Sequence, residues 1–126
     1  MEAKFSDLKG KTLIKIDGLI KGSDFVTFYT KEGNIYEMYH DQDCCEKVEV
    51  EDVCGDIEDL LNSPILLAEE STSRENPKEP EDVWDDSFTW TFYKLSTLKG
   101  DVTIRWYGES NGYYSERVDF REVDNN

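Results

Sequence analysis

A chain of 126 residues with 29 acidic side chains against 14 Lys and Arg, net charge −15, is expected to form one domain, and its charge argues against direct binding of nucleic acid or anionic lipid. Only 37% of the residues are apolar, but three Trp, seven Tyr and six Phe argue against a disordered chain, which would be poor in aromatics. There is no run of about 18 apolar residues and no apolar stretch behind MEAKFSDLKGK, so neither a membrane helix nor a signal peptide is expected, and the expected compartment is the cytoplasm.

The charge is unevenly spread. Residues 1–40 are neutral and residues 87–126 carry −1, whereas residues 41–86 hold 17 acids against three bases, a net −14. A surface of that kind attracts cationic partners over a Debye length of roughly 8 Å at physiological salt.

In chain order, TLIKID (residues 12–17) alternates apolar and polar side chains, as a half-buried strand does. FVTFYT (25–30) and NIYEMYH (34–40) read as second and third strands joined by a glycine turn, giving a meander. KVEVE (47–51) alternates again, with Val48 and Val50 inward and Glu49 and Glu51 outward. DIEDLLN (56–62) places Ile57, Leu60 and Leu61 at helical spacing with acids in its first turn, which predicts one short helix ended by Pro64. ILLAEE (65–70) can form a strand. Residues 71–87, with two prolines and no period, predict a long exposed acidic loop. FTWTFYKL (88–95) follows as a strand with Phe88, Trp90 and Phe92 on one face. With DVTIRWY (101–107) and YYSERVDFREV (113–123) it is expected to close a second meander.

The expected fold is therefore α+β: one domain over residues 1–126, mostly antiparallel sheet of six to eight strands, with one short helix. The expected core is Leu13, Ile14, Ile16, Phe25, Phe28, Ile35, Met38, Val48, Val50, Leu60, Ile65, Trp90, Phe92, Ile104, Trp106 and Val118.

HDQDCCEKVEVEDVC (40–54) holds the only histidine and all three cysteines. Structural zinc needs four ligands, usually as two chelating pairs, and adjacent cysteines on a strand point to opposite faces. The acids around Cys44 and Cys45 oppose thiolate formation and hence a cysteine nucleophile. A bond between these neighbours requires a strained eight-membered ring. The stretch is thus read as strand and turn with cysteines inside and acids outside, with no metal, no cofactor and no catalytic residue. WYGESNGYYS (106–115) reads as a tight turn in which Gly108 and Gly112 supply positive φ, flanked by aromatics able to act as a recognition loop.

The blocks YHDQDCCEKVEVEDVCGDIEDLL, SPILLAEE and TWTFYKLSTLKGDVTIRWYGESNGYYSERV resemble, over residues 33–120, a family of small acidic proteins encoded in phage genomes and prophages and catalogued as a domain of unknown function. The resemblance supplies no activity or catalytic residues. It implies a cytoplasmic protein of an infected bacterium that is accessory to phage growth.

These observations lead to a non-enzymatic acidic inhibitor. It would bind a host defence protein, such as a nuclease or a restriction or CRISPR-type effector, on its basic nucleic-acid surface, by mimicry of DNA. The expected contact residues are Asp41, Asp43, Glu46, Glu49, Glu51, Asp52, Trp106, Tyr107, Asn111, Tyr113 and Tyr114. Two alternatives are a sponge for a small nucleotide signal, built on the same aromatics with Arg105 and Arg117, and a small metal-dependent enzyme using His40 and nearby acids.

Overall fold

A computed structural model describes residues 3–73, 87–110 and 115–123. Among them the alternating segments form eight strands: β1 (Leu13–Asp17), β2 (Phe25–Thr30), β3 (Ile35–Tyr39), β4 (Lys47–Cys54), β5 (Leu67–Ser73), β6 (Ser87–Thr97), β7 (Gly100–Ser110) and β8 (Asp119–Val123). They build two four-stranded sheets, ordered β1-β2-β3-β8 and β4-β7-β6-β5, in which every pairing is antiparallel.

Both sheets feed one core. Val26, Phe28, Tyr36, Met38 and Phe120 come from the first; Val48, Val50, Tyr93, Leu95, Val102, Ile104 and Trp106 come from the second. Trp106 is 1% exposed, and its indole Nε1 donates to Met38 Sδ at 3.0 Å, a contact between the sheets. A buried indole N–H needs such an acceptor, and a thioether is a weak one.

The protein is mostly β, and the expected helix is replaced by a 3₁₀ turn at Ile57–Leu60. Seven residues are too few to offset helix nucleation. Asp56 caps the turn by accepting from the Glu58 amide at 3.0 Å. Asn62, at φ 61°, then turns the chain so that its N–H donates to the Leu13 carbonyl at 2.7 Å. A second 3₁₀ turn, Phe5–Leu8, has no counterpart in the sequence reading and buries Phe5 and Leu8.

The first meander forms as expected from β1, β2 and β3. The second does not. β6 and β7 make a hairpin, but β8 starts at Asp119 and crosses to the first sheet, pairing Ile35 with Val123 and Met38 with Phe120. Phe120 draws it there: its ring stacks on Tyr36 at 5.4 Å and meets Phe5 at 5.6 Å and Phe28 at 6.3 Å.

The face of β6 is also reversed. Thr89, Thr91, Tyr93, Leu95 and Thr97 are buried on the core side, whereas Trp90 pairs with Tyr107 on the outer face, ring to ring at 4.6 Å, under the Arg105 guanidinium at 5.0 Å. Trp90 is buried outside the common core, and Phe92 is half-buried. Two other core candidates are exposed. Ile14 sits at the register irregularity of β1, and Phe25 opens β2 and meets Tyr39 on the outer face. Residues 71–73, read as loop, extend β5, and Ser87 begins β6; residues 74–86 of the expected loop lie outside the described residues.

Replacing Trp106 by Ala should lower the unfolding free energy by about 3–5 kcal/mol, the usual cost of emptying a large aromatic site. Equilibrium urea unfolding would measure this, and a loss below about 1 kcal/mol would mean that the indole does not tie the two sheets together.

Candidate binding surface

β4 is an edge strand of the second sheet and carries most of the expected contact acids. Its burial alternates, with Val48 and Val50 inward and Glu49 half-buried on the other face. A bulge between Val50 and Asp52 resets the register, so that Asp52 lies opposite Arg105. Lys47 Nζ is 3.2 Å from Glu49, and Arg105 is 3.9 Å from both Glu51 and Asp52. These pairs are partly exposed and contribute roughly 0–1 kcal/mol each. The free edge of β4 is stapled at one point, where the Gly22 amide donates to the Val50 carbonyl and the Val50 amide to the Ser23 carbonyl, both at 2.7 Å.

Glu46, expected at the surface, is 4% exposed. It continues the inward phase of Val48 and Val50 by one step, so its carboxylate enters the interior. Four donors meet it there: His40 Nε2 at 2.8 Å, the amides of Asp43 and Cys44 at 2.9 Å each, and Gln42 Nε2 at 3.1 Å. Burial pushes the pKa of this carboxyl up, but the His40 bond and the backbone amides outweigh burial and hold it down at about 2. His40 Nδ1 donates to the Arg117 carbonyl at 2.6 Å. Both ring nitrogens are thus engaged, one by a backbone carbonyl and one by the Glu46 carboxylate. Both nitrogens of His40, which the metal-enzyme alternative names together with nearby acids, are engaged in these bonds, and among the described residues no group of three or more His, Cys, Asp or Glu is placed to hold a metal ion.

The cysteines are also placed otherwise than expected. Cys44 and Cys45 are joined as a vicinal disulfide and both are exposed; Cys54 is free and exposed. The interior position goes to Glu46 because its charge is satisfied by the turn amides, while the cysteines fall on the outside of that turn.

Trp106 and Tyr107 leave the candidate surface as well, at 1% and 4% exposure; the Tyr107 hydroxyl donates to Glu109 at 2.9 Å. Asn111, Tyr113 and Tyr114 lie outside the described residues. Gly108 lies within β7, and its smallness serves packing: a Cβ there would meet Glu116 Cβ at 2.9 Å and its carbonyl oxygen at 3.0 Å. Glu116, missed in the sequence, is a second buried acid, bonded by the hydroxyls of Thr89 at 2.8 Å and Ser110 at 2.6 Å.

The structure thus brings Asp41, Asp43, Glu49, Glu51 and Asp52 onto one loop and one sheet edge. A cavity of about 370 Å³ opens where that loop meets residues 115–119, lined in part by Asp41, Asp43, Arg117 and Asp119; Arg117 Nε is 3.1 Å from Asp119. Among the described residues no helix is long and apolar enough to cross a membrane.

An acidic two-sheet β domain with a braced loop beside an edge strand is the class these features define. Residues 6–120 match the model of DUF7448, a domain of unknown function, and the chain belongs to that family. No curated protein and no solved structure matches it.

The Glu46 site has a pH signature. An acid held below its ordinary value of 4.5 contributes stability that is complete above that value and is lost as pH falls from 4.5 towards about 2. Glu46→Gln should therefore destabilise the protein near neutrality and flatten the dependence of stability on pH within that window. Denaturant unfolding of both proteins across the window checks this; parallel curves would place the acid-labile group elsewhere.

Proposed function

We propose that this protein is a non-catalytic acidic binding protein whose loop 41–45 and β4 edge occupy a basic, nucleic-acid-binding surface on a partner protein. The observation that carries the reading is the run of outward carboxylates at Asp41, Asp43, Glu49, Glu51 and Asp52, for which Lys47 and Arg105 are the cationic partners among the described residues. Glu46 supports it from inside, because a loop tied by four hydrogen bonds presents its charges with little ordering left to lose on binding. The finer form of the proposal makes the partner a host defence nuclease or a restriction or CRISPR-type effector, met in the cytoplasm of an infected bacterium. That form draws on the resemblance to phage proteins and on the charge. The nucleotide-sponge reading is weaker, since two of its four aromatics are interior.

Capture on the immobilised protein from infected cells, at low and high salt, would identify the partner. With partner in hand, charge reversal of Asp43, Glu49, Glu51 and Asp52 together should slow association more than it speeds dissociation, and added salt should reproduce the loss. Double-stranded DNA should compete for the same site. Unchanged association after the fourfold reversal would reduce the acidic edge to solvated surface.

A further inference from the structure

A second site lies away from the acidic edge, where the last strands of the two sheets come together. β5 ends the second sheet and β8 ends the first. The 3₁₀ turn Phe5–Leu8 sits between them: the Phe5 ring is 4.7 Å from Tyr93 and 5.6 Å from Phe120, and the Ala3 amide donates to the Phe120 carbonyl at 3.2 Å. A cavity of about 300 Å³ remains there. Phe5, Ala68 and Phe120 give it an apolar wall, and Lys4, Glu70 and Arg117 bring charge of both signs to the same space.

Glu70 is the unusual member. The β5 register sets it opposite Tyr93, on the core-facing row of an edge strand. The Tyr93 hydroxyl donates to it, and the Arg117 charge acts on it. Glu70 is itself exposed, and its partial burial against the sheet pushes the carboxyl up, against the pull of Tyr93 and Arg117; burial with the nearby acid pushes the Tyr93 phenol up strongly. Arg117 is oriented by Asp119 at 3.1 Å, and its backbone carbonyl is held by His40. Charged groups of both signs are thus positioned beside an apolar wall, in a volume at the lower end of the roughly 300–1,000 Å³ of ligand sites.

From this arrangement we infer that the cavity binds a small zwitterion with an apolar side chain, the chemistry of a free apolar α-amino acid. The ammonium pairs with Glu70, the carboxylate pairs with Arg117 and Lys4, and the side chain covers Phe5, Ala68 and Phe120. Glu70 is already met by Tyr93 and Arg117 by Asp119, so a simple anion would still meet the Glu70 carboxyl and a simple amine the two bases, and a ligand carrying both charges is the one that adds a favourable pair at each end. This site shares none of the acids of the proposed contact face, and Arg117 is the one residue common to the linings of the two cavities, so Glu70→Gln tests the inference independently of the proposed function.

Calorimetric titration of the full chain with leucine, valine and phenylalanine at millimolar concentrations, with amide chemical shifts followed by NMR, tests it. Binding with shifts centred on Ala68, Val118 and Phe120 is expected. N-acetyl-leucine and leucinamide, each lacking one charge, should bind about tenfold more weakly or worse, as should Glu70→Gln and Arg117→Gln with leucine. Ala68→Leu, which fills the cavity with an apolar side chain, should abolish binding while the urea midpoint stays unchanged or rises; that midpoint separates a blocked site from a misfolded one. Heat and shifts absent with all three amino acids, or equal affinity for leucine and its blocked analogues, would overturn the assignment.

Discussion

A carboxylate in the interior is costly unless its lone pairs are filled, and the fold of this chain is arranged around filling those of Glu46. His40 follows β3 in the first sheet, Glu46 precedes β4 in the second, and Arg117 lies on the segment that returns from β7 to β8. The two bonds of His40 therefore join both described crossings between sheets at one point. Glu116, bonded by Thr89 and Ser110, anchors the return segment one residue earlier. The crossings are held by buried polar groups because their side chains are mostly polar, and such networks specify geometry when every member is satisfied.

The same arrangement protects sheet edges. β4 is stapled by residues 22 and 23, β1 is bridged at Leu13 to Leu61 with neighbouring bonds at residues 62 and 65, and β8 receives the Ala3 amide. An edge with open amides and carbonyls templates pairing with other chains, so covering it with the chain's own loops favours a discrete molecule. Charges along β4 add repulsion between copies, the same electrostatics that would attract a basic partner.

The strands were largely legible because alternation is written locally. Their faces and partners were less so. In β6 both rows are credible core: Phe88, Trp90 and Phe92 are larger, but the row with Tyr93 and Leu95 faces the other sheet, and the choice depends on what packs opposite. β8 was assigned to its sequence neighbours because the stacking of Phe120 on Tyr36 spans 84 positions of chain and leaves no local trace. The interior Glu46 did leave one, since residues 46, 48 and 50 share a phase. Hydrophobicity argued against extending that phase to an acid, and the donors that reverse the argument come from a turn and a distant histidine. Of the aromatic loop read at residues 106–115, residues 106–110 belong instead to β7, and Gly108 there signals close packing against Glu116, which sequence alone does not distinguish from a turn.

The passage of β8 from one sheet to the other bears on how the molecule can be assembled during synthesis. The second sheet is made of β4 to β7, contiguous in the chain, so it can close as soon as that stretch has left the ribosome. The first sheet has three strands near the beginning but waits for the fourth, since Ile35 pairs with Val123 and Ala3 with Phe120. Until then one side of β3 is open and the aromatic pocket under Tyr36 lacks its stacking partner, a state with exposed apolar surface and an unpaired strand. Such long-range closure also slows folding, because the loop entropy is lost before the contacts are gained. The domain is therefore completed from its two ends, and its early strands remain dependent on its last ones.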